Sequence, residues 1–183
     1  MKKVKPEKMP AIKKNILKQI KVFVMDVDGV LTDGKIVFLA SGEEVKSWNV
    51  KDRIAFFILK RLGFPVCWIS GRSCAEVEKT ALYLGVSGVY LGVKDKLDVW
   101  EKIKKKFGVT DEEILYIGDD LVDAVLLQRA GFSACPADAA PEVVKICDYR
   151  TKAAGGGGVL REVAECALKA RGEWKKVLKY YGI

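Results

Sequence analysis

The stretch Phe23-Val24-Met25-Asp26-Val27-Asp28-Gly29-Val30-Leu31-Thr32-Asp33-Gly34-Lys35-Ile36 decides how this chain is read. An apolar run, Val22 to Met25, ends abruptly in a group of acids: Asp26, Asp28 and Asp33. A calcium loop of the EF-hand type also opens with alternating acids, but it needs an oxygen ligand at its fifth position, glycine at its sixth and glutamate at its twelfth. Counted from Asp26 those positions are Val30, Leu31 and Val37. The calcium reading therefore fails, and the acids mark the end of a buried strand.

Working outward, short apolar runs alternate with segments of helical period from residue 20 onward. That is the pattern of a parallel sheet covered by helices. Strands are expected over 21–26, 64–69, 88–91, 114–118 and 132–135, and helices over 52–62, 73–84, 94–107, 121–130 and 159–170. The strands are rich in Val, Ile, Phe and Tyr with little polar alternation, as when both faces are covered. Between the first strand and the first helix, KIVFLA and EEVKSWNV flank Ser41-Gly42 and read as a β-hairpin. The fold class is α/β: a Rossmann-like parallel sheet with helices on both faces, a β-hairpin inserted after strand 1, and no cap domain.

With 183 residues, half of them hydrophobic, the chain can build one domain with a substantial core. We expect a basic extension over 1–19, a single domain over 20–171 and a basic tail over 172–183. No apolar run reaches the ~20 residues that span a bilayer, and the lysine-rich start lacks the apolar segment of a signal peptide, so a cytoplasmic protein is expected. Cys67, Cys74, Cys135, Cys147 and Cys166 are odd in number and contain no C-x-x-C pair, which indicates reduced thiols and no zinc site. The net charge of +8 is concentrated at the ends: residues 1–21 hold eight lysines against one glutamate, and residues 169–183 hold five basic groups against one glutamate. The body between is net acidic, so no nucleic-acid or membrane partner is expected.

In open α/β sheets the ligand site lies beyond the carboxyl ends of the strands. Asp26 and Asp28 follow the first expected strand, Ser70-Gly71-Arg72 the second and Gly118-Asp119-Asp120 the fourth, while Lys96 opens the helix after the third. Each cluster alone could be an ordinary helix cap. All of them at one sheet edge make a site for a hard cation and a phosphate. Asp26 and Asp119 can offer carboxylate oxygens to Mg2+, and Ser70 and Lys96 can hold phosphoryl oxygens. The chain contains no histidine, which excludes histidine-based triads and acid/base catalysis. A carboxylate nucleophile remains, forming an aspartyl-phosphate that water later cleaves.

Receiver domains use similar groups, but with the acid pair at the first strand; here Asp119-Asp120 comes late. The order D-x-D, hydroxyl, lysine, G-D-D resembles the haloacid dehalogenase superfamily over roughly residues 20 to 170. MDVDGVLTDGKI, GEEVKSWNVKD, SGR, KDKL, GDDLVD and AGGGGVLREV together resemble its capless branch that dephosphorylates 3-deoxy-D-manno-octulosonate 8-phosphate (KDO 8-phosphate). The resemblance implies Asp26 as nucleophile and Asp28 as general acid/base, with Asp28 also giving magnesium its backbone carbonyl. It implies Asp119 as the completing metal ligand, Asp120 and Asp123 as its support, Ser70 and Lys96 as phosphate ligands, and Gly71 and Arg72 as substrate contacts. Asn49, Arg53 and Gly156 join the expected substrate-binding set.

No interval has room for a lid, so closure has to come from another subunit. The resemblance implies a homotetramer whose hairpins associate and whose Gly155–Gly158 tail reaches a neighbouring site. Three positions depart from the branch: Gly157 and Thr80 stand where it carries arginines, and Arg53 where it carries glycine. Arg53 is expected to take over part of the lost carboxylate recognition. The alternatives are a phosphatase of the same branch acting on a nine-carbon sialic-type acid 9-phosphate or another sugar phosphate, and a non-catalytic oligomeric binding protein.

Overall fold

The structure, a computed structural model, describes residues 11–183. Residues 1–10, part of the expected basic extension, lie outside the described residues.

Six parallel strands form one sheet in the order β5-β4-β1-β6-β7-β8, with β1 (Val22–Met25), β4 (Val66–Ile69), β5 (Gly88–Tyr90), β6 (Ile114–Ile117), β7 (Phe132–Cys135) and β8 (Tyr149–Arg150). Strand β1 is central, with Phe23 beside Val66 on one flank and Val24 beside Tyr116 on the other. Side chains of a strand point alternately to the two faces, and both faces here are apolar. Phe23, Met25, Trp68, Leu115 and Ile117 join one core cluster, and Val22, Val24, Cys67, Ile69 and Tyr116 the other.

The first cluster is covered by α1 (Ala11–Gln19), α2 (Val50–Arg61), α3 (Ala75–Leu84), α7 (Val159–Ala170) and α8 (Trp174–Tyr180). The second lies under α4 (Lys96–Phe107), α5 (Ala124–Arg129) and α6 (Pro141–Ile146). Hydrophobic burial on both faces, at roughly 25 cal/mol per Å2, is the main favourable contribution to this architecture. Helix α4 has the N-cap Asp95, whose carboxylate accepts from Leu97 N–H at 2.9 Å, and ends in left-handed Gly108.

The packed unit runs past both expected boundaries, 20 and 171. In α1, Leu17 is fully buried and Ile20 follows it into the core; in α8, Val177 is buried. Lysine side chains cover one face of each helix while the apolar stripe packs inward, so the basic ends include surface helices whose charge hides their packing. Helix α6 and the two-residue β8 were not expected because neither is long enough to show a period.

The hairpin is present but shorter than KIVFLA and EEVKSWNV suggested. Its strands are β2 (Val37–Phe38) and β3 (Glu44–Val45), paired antiparallel and outside the main sheet. Trp48 stacks on Trp68 at 5.5 Å and carries the chain back to the core. All five cysteines are free. Among the described residues no helix is long and apolar enough to cross a membrane.

Candidate active site

The parallel sheet delivers its polar residues to one edge. Asp26 is still tied to the sheet, its N–H donating to Ile117 O at 2.9 Å. The chain then turns sharply, with Leu31 N–H donating to Val27 O at 2.9 Å and Gly29 at φ +80°. Gly29 is required for a second reason: a Cβ there would lie 2.0 Å from Asp119 Oδ2. Ser70 is fixed between Tyr90 O, which accepts from its N–H, and Val93 N–H, which donates to its carbonyl.

A cleft of about 500 Å3 opens at this edge, lined by Asp26, Asp28, Ser70, Lys96, Asp119 and Asp120 among others. Gly71 and Arg72 line it as well. The Lys96 ammonium donates to Asp26 Oδ2 and to Asp123 Oδ1, both at 2.6 Å. Val27 N–H donates to Asp26 Oδ1 at 2.5 Å. Asp123 is fully buried behind the cleft and its oxygens are committed: Oδ1 to Lys96 and the Tyr116 hydroxyl, Oδ2 to Asp119 N–H at 3.0 Å and Asp120 N–H at 3.4 Å.

Asp26, Asp119 and Asp123 have carboxylate oxygens within 4.8 Å of one another. Because Asp123 is saturated, it orients the site, and Asp26 and Asp119 are left to face a ligand. Burial, reinforced by Asp123 and partly opposed by Lys96, raises Asp26 to about 6. Burial followed by the charges of Asp123 and Asp26 raises Asp119 to about 7. Burial on its own would lower Lys96, but Asp123 and Asp26 outweigh it and hold the ammonium above its ordinary value. One lysine thus stands among two buried carboxylates and the half-buried Asp119, an excess of negative charge that a divalent cation would balance. The donors are all hard oxygens, which fits a cation of the magnesium type.

Two contributors escaped the sequence reading. Lys46, from the hairpin, pairs with Asp28 Oδ1 and with Glu44 Oε1 at 2.8 Å, and Glu44 Oε2 accepts from Arg72 at 2.9 Å. Tyr116 is the second, and it reads from sequence as an ordinary core residue of β6. The alternation of Glu44 and Lys46, in β3 and just after it, was the available signal for the first.

Three expected substrate contacts lie outside the cleft. Asn49 Nδ2 donates to Gly156 O at 2.8 Å, and Gly156 N–H donates to Val30 O at 3.1 Å. The glycine-rich segment therefore packs on this chain's own loop after β1; a Cβ on Gly155 would lie 2.2 Å from Gly29 O. Arg53 sits beside Thr80 in a separate depression between α2 and α3, its guanidinium donating to the Tyr83 hydroxyl at 2.5 Å.

A family model for haloacid dehalogenase-like hydrolase matches residues 89–163. The chain is 36% identical over 154 residues to the 3-deoxy-D-manno-octulosonate 8-phosphate phosphatase KdsC of Escherichia coli K12, covering 84% of this chain and 82% of that protein. It is similar to the crystal structure of 3-deoxy-D-manno-octulosonate 8-phosphate phosphatase from Moraxella catarrhalis in complex with magnesium, phosphate and KDO. The TM-score is 0.91 at 36% identity, over 95% of this chain and 99% of that one. The enzyme of the same name from Yersinia pestis gives a TM-score of 0.88 at 33% identity, over 90% and 89%. With 36% identity to the Escherichia coli phosphatase over most of the chain, a matching family model and, among the described residues, no inserted cap beside the cleft of Asp26, Ser70, Lys96 and Asp119, the chain belongs to the haloacid dehalogenase-like hydrolases, in the capless phosphatase branch.

Proposed function

We propose that the protein hydrolyses KDO 8-phosphate to KDO and phosphate with Mg2+ as cofactor. The observation that carries this reading is the convergence of Asp26, Asp28, Ser70, Lys96 and Asp119 on one cleft. The Asp26 and Asp119 carboxylates and the Asp28 backbone carbonyl would hold the ion. Bound there, Mg2+ neutralises charge on the phosphoryl group and on the nucleophile. Ser70 and Lys96 bind the phosphoryl oxygens. The Asp26 carboxylate attacks phosphorus, and Asp28 protonates the departing sugar oxygen. Asp28 then takes a proton from the water that cleaves the aspartyl-phosphate.

The substrate assignment draws on the named relatives, and a homotetramer goes with it. Its support in this chain is the apolar face of the hairpin, where Ile36, Val37, Phe38, Leu39 and Val45 are 42–61% exposed. Patches of this kind mark association surfaces. Because Arg53 lies outside its own cleft, any role it has toward a sugar-acid carboxylate is exerted on a neighbouring copy.

Phosphate release should be measured from KDO 8-phosphate, a nine-carbon sialic-type acid 9-phosphate and simple sugar phosphates, with Mg2+ and with chelator. We expect KDO 8-phosphate to have the highest kcat/KM and chelator to abolish turnover. Preference for another phosphate overturns the substrate, and full activity in chelator overturns the mechanism. Swapping Arg53→Gly without loss of affinity for the sugar-acid phosphate dismisses the role of Arg53.

A further inference from the structure

Between Asp33 and Val50 the hairpin presents its backbone and side chains to solvent or leaves them half-covered, with one exception, Lys46. Its side chain is 1% exposed. Burying an ammonium costs several kcal/mol unless it is paired and hydrogen-bonded, and Lys46 is paired twice, with Asp28 Oδ1 and with Glu44 Oε1. The two carboxylates outweigh the effect of burial and raise the lysine above its ordinary value. Glu44, held below its ordinary value first by its bond to Lys46, also grips Arg72. Arg72 Nε in turn lies 3.9 Å from Asp28 Oδ2.

We propose that Lys46 is a positioning residue for proton transfer: from the hairpin it holds the Asp28 carboxylate where it meets the leaving-group oxygen. The inference rests on the phosphatase reading above and deepens it. The loop that carries Asp28 holds its carboxylate only by a long bond, from the Thr32 hydroxyl to Oδ1 at 3.5 Å. Lys46 supplies its closest ionic contact, and Arg72, at 3.9 Å, a longer one. The hairpin then does for the general acid what its exposed apolar strands do not do for the core: it brings one buried charge to the reacting edge.

The chemistry provides a selective test. Protonation of the departing oxygen matters for an alkyl phosphate, whose leaving alkoxide is a strong base, and hardly at all for p-nitrophenyl phosphate, whose phenolate leaves unaided. Since kcat/KM reports the steps up to formation of the aspartyl-phosphate, it should be compared for the two substrates in wild type, Lys46→Met and Lys46→Arg. Lys46→Met should lower kcat/KM for the sugar phosphate by about 10²-fold while p-nitrophenyl phosphate changes by no more than about threefold, the size expected when general-acid assistance is lost. Lys46→Arg, which keeps the charge, should recover most of the loss. Retained turnover of the aryl ester shows that the variant is folded; if Lys46→Met does not fold, Lys46→Gln is the variant scored. An equal fall on both substrates, or none, overturns the inference. Failure of the wild type on both substrates with Mg2+ overturns the phosphatase reading itself and this inference with it.

Discussion

The Tyr116 hydroxyl donates to Asp123 Oδ1 at 2.5 Å from within β6, the strand that delivers Asp119 to the cleft. Asp123 is the hub of the site, because its other contacts hold the Lys96 ammonium and the N–H groups of Asp119 and Asp120. A hydrogen bond to a buried carboxylate contributes about 1.5–3 kcal/mol. Burial holds the Tyr116 phenol well above its ordinary range, so it stays a donor at any working pH.

Tyr116→Phe should therefore lower stability by roughly 1.5–3 kcal/mol and reduce kcat, with Mg2+ affinity weakened because Asp123, which accepts from Asp119 N–H, is held less firmly. Denaturant unfolding and a Mg2+ titration check it. Unchanged stability and Mg2+ affinity would show that Lys96 alone suffices to hold Asp123.

Gly29→Ala brings a methyl group to 2.0 Å from Asp119 Oδ2 at a backbone φ of +80°. The carboxylate has to move by about an ångström, a displacement that costs on the order of 10²-fold in rate. Steady-state kinetics across a Mg2+ series should show the loss; wild-type rates would mean that Asp119 has another acceptable position.

Asp26 and Asp28 should separate by their roles. Under the proposed mechanism Asp26→Asn removes the attacking oxygen and a cation ligand, and turnover should vanish. Asp28→Asn keeps the backbone carbonyl but cannot move protons, and should slow turnover by about 10²- to 10⁴-fold. Trapping of phosphorylated enzyme distinguishes them: Asp28→Asn should still label and Asp26→Asn should not. Equal, mild effects would refute the assignment.

Asp52 is buried at the start of α2, and its Oδ1 accepts from Arg161 N–H at 2.9 Å while Oδ2 has no partner. Burial raises it from 3.8 to about 6. The folded state thus binds this proton more tightly than the unfolded one. Its contribution to stability is greatest below pH ~4, falls as pH rises to ~6 and stays lost above that, a loss of at most about 3 kcal/mol. Asp52→Asn should melt higher than wild type at pH 7–8 and lose that advantage near pH 4. The difference in melting temperature between the two proteins across pH measures it, and a constant difference would place the Asp52 titration elsewhere.

The places of five of the six sheet strands along the chain and the residues at their ends were legible in the sequence because a doubly covered parallel strand has to be a short apolar run, and its loop begins where the polarity changes. Asp26, Asp28, Ser70, Lys96 and Asp119 could be assigned to one edge on that ground alone. The extent of the packed unit was less legible. In α1 and α8 lysines outnumber the core contacts, and only docking beside α7 reveals that Leu17 and Val177 are buried.

What the sequence by itself determined was local and periodic: which segments are strands or helices, that the chain has no histidine chemistry, and which acids stand at the strand ends. Only tertiary structure decided which charges meet. Lys46 is far from Asp28 along the chain and on an otherwise exposed hairpin, yet it is buried against that carboxylate. Gly155 and Gly156, read as reaching for another site, press on the chain's own loop after β1. Tyr116 occupies an ordinary strand position and acquires its meaning from Asp123. Contacts of this kind depend on crossover geometry and on the desolvation of particular pairs. Neither leaves a local pattern, because the energy of a buried ion pair is set by what surrounds it and not by where its partners stand in the chain.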